Sequence, residues 1–305
     1  MSRALAAHPG ALGDVLLAVP ALRALRERHG TVILAAQPRI GNLLRALDVV
    51  DETCAIEDLG LDGLFVDDGA RARLFDAHRV VCWLGARDPA FVRRLSGQAP
   101  SVTVAPSVGD GGVWQHLLRT AAPEAPALVD PVVMPAALRE AGAAALRSAG
   151  WDGTSHLLIV HPGAGSVAKR WPARGFASAV AQVAAQHGLT VAVHQGPADA
   201  DAVSALVREL PAARLLDEPC LSTLAGALSH AAAYLGNDSG VSHLAAAIGS
   251  PAVVLFLQAN ARWRSWSATA QSATVDVTQV RPEEGAAVVA ALAGVLRRRG
   301  SPMML

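Results

Sequence analysis

At 305 residues the chain is long for one core and suits two domains of about 150 residues each. Its 26 basic and 26 acidic residues cancel, so bulk charge makes no case for nucleic-acid binding. No run approaches the roughly 20 apolar residues needed to span a bilayer. Cys54, Cys82 and Cys220 show neither CxxC nor paired spacing, and Met1 to Leu5 lacks an apolar leader core. A soluble protein of the reducing cytoplasm is the expectation.

Residues 5–8 read as a first strand, and Pro9 to Asp14 as a glycine-rich turn. A helix over 15–28 follows, apolar at Leu16, Val19, Leu22 and Leu25 and basic in its last turn. Asp14 stands at the helix start, where a carboxylate ordinarily stabilises the dipole. Gly10 and Gly13 do not form G-x-G-x-x-G and no G-K-[ST] is present, so neither a dinucleotide fingerprint nor a P-loop is indicated. Strands over 31–36, 53–56, 80–84 and 102–104 follow, with helices such as 40–47 and 88–95 between them. This alternation implies a parallel sheet covered on both faces. A flexible turn at 109–112 precedes a short helix at 113–120. Pro123, Pro126, Pro131 and Pro135 then mark a linker within 123–154, which carries a connecting helix at 136–149. The domains divide as 1–150 and 151–305.

The second half restarts the pattern. A buried strand at 156–161 runs into a loop holding Gly163, Gly165, Ser166, Lys169 and Arg170, followed by a helix over 173–187. Lys169 is the only lysine among the 26 basic residues, a compact ammonium suited to phosphate. Two glycines, a hydroxyl and adjacent cations can cradle a diphosphate; the alternative is a solvated basic loop. Strands at 190–194, 214–216 and 233–235 alternate with helices at 200–210 and 221–230. Residues 235–251 then read as a strand end, a polar turn capped by Asp238 or Ser239, an Ala-rich helix and a glycine stop before a strand at 252–256. That helix start offers free N–H groups to an anion, unless Asp238 merely caps it. Residues 260–269 form an irregular loop and 283–299 a closing helix. No solenoid repeat and no metal-ligand spacing such as HExxH is present.

Three stretches together resemble glycosyltransferase family 9, the ADP-heptose:lipopolysaccharide heptosyltransferase family. They are GALGDVLLAVPAL at 10–22, HPGAGSVAKRWP at 161–172 and GNDSGVSHLAAAIGSP at 236–251. The resemblance implies an α/β GT-B fold, two Rossmann-like domains facing across a cleft, with the helix 283–299 packing back on the first. It implies an acceptor side in the N-terminal domain and a nucleotide-sugar side in the C-terminal one. By similarity Asp14 is the general base of an inverting transfer; Gly13 and Arg87 are candidates for the acceptor side. Lys169, Ser166, Gly163 and Gly165 match the phosphate-contacting loop, and Asp238, Ser239, Gly240 and His243 the donor motif. Asp238 is read as binding sugar hydroxyls or orienting the turn, and His243 as a structural bridge or a catalytic acid.

The resemblance further implies a metal-independent reaction needing no cofactor beyond an ADP-sugar co-substrate, and a glycan or glycolipid acceptor such as lipopolysaccharide core. Association with the inner face of the cytoplasmic membrane fits that acceptor. Arg39, Arg45, Arg71, Arg73, Arg93 and Arg94 join Arg87 as cations an anionic acceptor could meet. The chain departs from the family at 257–261 and at 82–87. Those departures leave open a different donor and acceptor, or a non-catalytic nucleotide-sugar-binding relative.

Overall fold

A computed structural model describes residues 2–300. It divides into a unit ending at Val129 and a unit beginning at Asp130.

The first unit contains β1 (Ser2–Ala7), α1 (Leu12–Leu17), α2 (Val19–His29), β2 (Gly30–Ala36), α3 (Pro38–Ala46), β3 (Glu52–Ala55) and α4 (Gly63–Val66), then β4 (Arg79–Cys82), α5 (Pro89–Ser96), β5 (Ser101–Val104) and α6 (Val113–Ala121). Its strands pair in the order β3-β2-β1-β4-β5, all parallel. Leu5, Ile33 and Val80 from the sheet pack with Leu64, Phe91 and Leu95 from the helices. The single helix expected over 15–28 is two helices. Ala18 closes α1 by a tight bond from its N–H to Val15 O, and Pro20, which has no N–H to give, sits in the first turn of α2.

The second unit contains α7 (Ala136–Ser148), β6 (Leu157–His161), α8 (Ala173–His187), β7 (Thr190–Gln195), α9 (Ala200–Glu209), β8 (Arg214–Asp217) and α10 (Leu221–Leu228). It continues through β9 (Ala231–Asn237), α11 (Gly240–Ala247), β10 (Ala252–Phe256), β11 (Ala270–Thr274) and α12 (Pro282–Gly300). The strand order is β11-β10-β9-β6-β7-β8, again parallel. Counted within its own unit, each sheet therefore runs 3-2-1-4-5, the second adding a sixth strand. Such a sheet reverses direction between its first and fourth strands, and the crevice beyond their carboxyl ends is where ligands bind. Those strands are β1 and β4 in the first unit, β6 and β9 in the second.

The division falls inside the linker region 123–154 but ahead of residue 150, because α7 seats on α10 of the second unit. Gly142 leaves no room for a side chain against Gly226 and Ala227, and Gly226 lies against the Leu138 carbonyl. The chain entering α7 is tied down as well, Val132 N donating to Ala247 O at 2.8 Å. The closing helix buries Val288, Leu292 and Val295 in the second unit's core, with Val160, Phe176 and Val253. β11 lies between the loop expected at 260–269 and the closing helix, where no element was read from the sequence. Its Gln271 and Ser272 give no apolar run, and it is an edge strand paired on one side only.

Candidate active site

The second unit's crevice is built from the loop after β6 and the turn after β9. β6 is buried along its length, and its partner register sets His161 beside Gly236, so the two following segments start as neighbours. Asn237 then staples them together. Its Nδ2 donates to Pro162 O at 2.8 Å and its Oδ1 accepts from Trp171 N at 3.0 Å, holding both ends of the 162–171 loop. Trp171 is buried edge-on to Phe176, ring centroids 5.4 Å apart, and Gly175 makes space for its indole. Between these anchors Ser166 caps a short 3₁₀ turn, Val167–Lys169, its Oγ accepting from Ala168 N at 3.3 Å. The turn presents Lys169.

On the facing segment Ser239 is the cap of α11, its Oγ accepting from Ser242 N at 3.3 Å. Ser242 Oγ donates to Asn237 O at 2.5 Å and pairs with the buried Tyr234 hydroxyl at 2.9 Å, so the turn is fixed from beneath. Gly240 and Val241 begin the helix, where amide N–H groups have no intrahelical acceptor. Asp238 is the hub. Its Oδ2 accepts from Lys169 Nζ at 2.9 Å and from Asn260 Nδ2 at 3.1 Å, and His243 Nε2 lies 3.6 Å from its Oδ1. Burial alone would raise the Asp238 carboxyl, but the hydrogen bonds and charges of His243 and Lys169 outweigh it and hold the group below its ordinary value.

Lys169, Asp238, Ser239, Gly240 and His243 are thus brought together. His243 lies beside Asp238, the carboxylate that also holds Lys169. Gly163 and Gly165 differ from one another. Gly163 is pressed against the Asp199 carboxylate, whereas Gly165 is exposed with open space where a side chain would stand.

Residues that sequence reasoning passed over lie directly behind this loop. His161 and His194 approach Nδ1 to Nδ1 at 3.0 Å. Asp199 receives Gly196 N at 3.2 Å and lies 3.9 Å from both His161 Nε2 and Arg170. Burial lowers both histidines, His194 to about 3 with help from His161, so both rings are neutral at physiological pH. Asn260 is the other omission. It sits in the atypical 257–261 stretch, within a 3₁₀ turn, Gln258–Trp263, where an irregular loop was expected.

In the first unit Asp14 occupies the third position of α1. Its Oδ2 accepts from Ala11 N at 2.9 Å, closing the helix's first turn, and Gly10 accommodates its side chain. Gly13 lies half-buried in the same turn. Arg87 is exposed beyond β4 and lines a 450 Å³ pocket with Pro9, Phe65, Trp83, Leu84 and Pro106. Both features lie at the carboxyl edge of β1 and β4. Of the other arginines suggested for an acceptor, Arg94 is taken by Asp68 at 2.6 Å, with Arg93 3.9 Å from the same carboxylate.

Among the described residues no group of three His, Cys, Asp or Glu is placed to hold a metal ion, and no helix is long and apolar enough to cross a membrane. Two doubly wound parallel units, with a cation and a helix start at the switch point of the second, define a fold of the GT-B class. The chain belongs to glycosyltransferase family 9 (heptosyltransferase), whose model matches residues 128–286. Its fold is similar to that of a family 9 glycosyltransferase from Veillonella parvula, with TM-score 0.77, 16% identity and 97% of each chain covered. It is similar also to E. coli ADP-heptose lps heptosyltransferase II, TM-score 0.75 at 17% identity over 98% of this chain and 100% of that one. The E. coli heptosyltransferase WaaC with ADP gives TM-score 0.68 at 14% identity, covering 96% and 99%. No curated protein matches the chain.

Proposed function

We propose that the protein is an inverting, metal-independent transferase moving heptose from ADP-heptose onto a glycan or glycolipid acceptor such as lipopolysaccharide core. The observation that carries the donor half is the cluster of Lys169, Asp238 and His243 at the start of α11, on the β6–β9 switch point. A diphosphate there meets one ammonium and the N–H groups of a helix start, the combination that stabilises a departing anion. The family's heptosyltransferase description and the ADP in the E. coli relative favour an ADP-sugar.

In the transfer itself the acceptor hydroxyl oxygen forms a bond to C1 of the sugar as the bond from C1 to the diphosphate oxygen breaks on the opposite face. The hydroxyl proton passes to the Asp14 carboxylate, and ADP leaves with its charge balanced by Lys169. Asp238, which holds Lys169 before the donor arrives, orients the ammonium rather than the sugar in this reading.

The test is transfer from ADP-heptose to a heptose-deficient core acceptor, with calorimetry of ADP binding alongside. Lys169→Ala is expected to weaken ADP binding by about tenfold or more, the loss of one charge-assisted contact. Unchanged ADP affinity in that variant overturns the donor-site assignment. Turnover should persist in excess chelator; loss that magnesium or manganese restores contradicts metal independence.

A further inference from the structure

At the other end of the first sheet, where β1, β4 and β5 begin, a 560 Å³ pocket is lined by Arg28, His29, His78, Arg79 and Arg119, with the hydroxyls of Ser101 and Thr103 and no carboxylate. In a chain whose arginines and lysine equal its acidic residues in number, three arginines and two histidines gathered without a carboxylate is a strong local departure. Helix ends explain part of it, since Arg28 and His29 close α2 and Arg119 closes α6, where cations favour the dipole. That preference does not explain why two helix ends and the start of β4 deliver their cations to one concavity.

Arg26, one turn before His29, shows how the same region treats a cation that serves structure. It is paired to Asp51 at 2.7 Å and to Asp48 at 3.0 Å. Among the described residues no carboxylate lies within ion-pair distance of Arg28, Arg79 or Arg119. Arg79 is half-buried and held rigidly, with NH1 donating to Ser101 Oγ at 3.3 Å and NH2 to the carbonyls of Thr120 and Ala121 at 3.2 and 3.0 Å. His29 accepts or donates at Ser2 Oγ, 2.9 Å away, and its ring centroid lies 6.4 Å from that of His78. Burial and the charges of Arg28, Arg79 and His78 together lower the His29 imidazolium, the mark of positive surroundings that nothing offsets. A fixed guanidinium with two exposed ones beside it, Arg119 donating to Asp110 O at 2.9 Å, offers several N–H donors to phosphate oxygens.

We infer that this pocket is a second anion site, distinct from the donor crevice, which binds a phosphate-bearing ligand, either a soluble diphosphate or the headgroup of an anionic lipid. Its position at the amino ends of the first sheet's strands separates it from the Asp14 turn at the carboxyl ends, so it serves binding rather than the transfer step.

The probes are inorganic pyrophosphate in solution and vesicles of phosphatidylglycerol, with phosphatidylcholine vesicles as the uncharged control. The readout is the ring resonances of His29 and His78 in the histidine-labelled full chain, together with vesicle co-sedimentation. The variant is the double substitution Arg28→Gln and Arg119→Gln, both at exposed positions, with ADP calorimetry confirming that the second unit is intact. Saturable shifts with pyrophosphate that weaken about tenfold or more in the double variant support a soluble diphosphate. Sedimentation with phosphatidylglycerol that the double variant loses, without a pyrophosphate response, supports the lipid headgroup. Histidine resonances indifferent to both probes, or equal responses in wild type and double variant, overturn the site.

Discussion

Lys169 Nζ and Asp238 Oδ2 stand 2.9 Å apart although 69 residues separate them in the chain. The adjacency of β6 and β9 brings them together, so the charge of the one lysine in this protein is already balanced, and under the proposed function a diphosphate would have to share it. Asp238→Asn removes that balance while keeping an oxygen that can accept from Lys169. ADP affinity is expected to rise by about threefold to tenfold, the scale of a partly screened charge contact. Calorimetry at fixed ionic strength decides it, and an affinity equal to or below that of wild type shows that Asp238 does not compete with phosphate.

Asp14 has a structural contact and, in the proposed mechanism, a catalytic role, and substitutions can separate the two. Its carboxylate accepts from Ala11 N in the first turn of α1, an acceptor that asparagine preserves and alanine removes. Both Asp14→Asn and Asp14→Ala should lower turnover by about a hundredfold or more, as expected for loss of a general base. Only Asp14→Ala should also lose about 1 kcal/mol of stability, the usual cost of a deleted helix cap. Equal turnover in Asp14→Asn and wild type would remove Asp14 from the chemistry and leave it a cap.

His8 at the end of β1 is fully buried against Trp83, ring centroids 5.3 Å apart, with Nδ1 accepting from Gly10 N at 3.1 Å. Burial lowers its pKa from 6.5 to about 4. Because the unfolded chain takes the proton first, this neutral histidine contributes stability that is fully present above pH 6.5. That stability is lost as pH falls through about 4. The difference is on the order of 3 kcal/mol for this one ring. A histidine NMR titration should find His8 titrating near pH 4, with urea stability declining across the same range. An unshifted ring near 6.5 contradicts the burial argument.

The seat of α7 depends on glycine. A methyl group at Gly226 would run into the Leu138 carbonyl and the Gly142 backbone. Gly226→Ala should therefore cost at least about 2 kcal/mol, an overpacking effect on backbone that cannot yield. Gly285→Ala is the control. Nothing stands near that position in α12, and the change should stabilise by about 0.5 to 1 kcal/mol through helix propensity. Urea unfolding of the two variants distinguishes steric exclusion from general sensitivity to substitution.

Much of the fold was legible because its signals are local. The Leu-Leu-Ile-Val run of β6 and the Ala-Val-Val-Leu-Phe run of β10 read as buried strands, and each is buried throughout. The polar turn before α11 read as a capped helix start, and Ser239 is that cap. What failed to read lacks a local signature. β11 has no apolar run, the break at Ala18 lies inside an unbroken apolar periodicity, and the unit to which α7 belongs, though its helix was legible, is set only where Gly142 and Gly226 meet. Within the site, the motif residues were visible through their resemblance to the family. The bridging roles of Asn237 and Asn260 were not, since an asparagine among polar neighbours gives no sign of what it will bridge.

By itself, then, the sequence determined two alternating α/β halves, the helix starts that can bind an anion, and the lone lysine suited to one. Hydrophobic periodicity, caps and glycine stops act over a few residues, so they can be read without a partner. Only the tertiary structure decided that β6 lies beside β9, that Asp238 therefore takes Lys169, and that five basic side chains collect at the far end of the first sheet. Those outcomes depend on strand order, which long-range pairing and the handedness of the crossovers impose and no short stretch encodes.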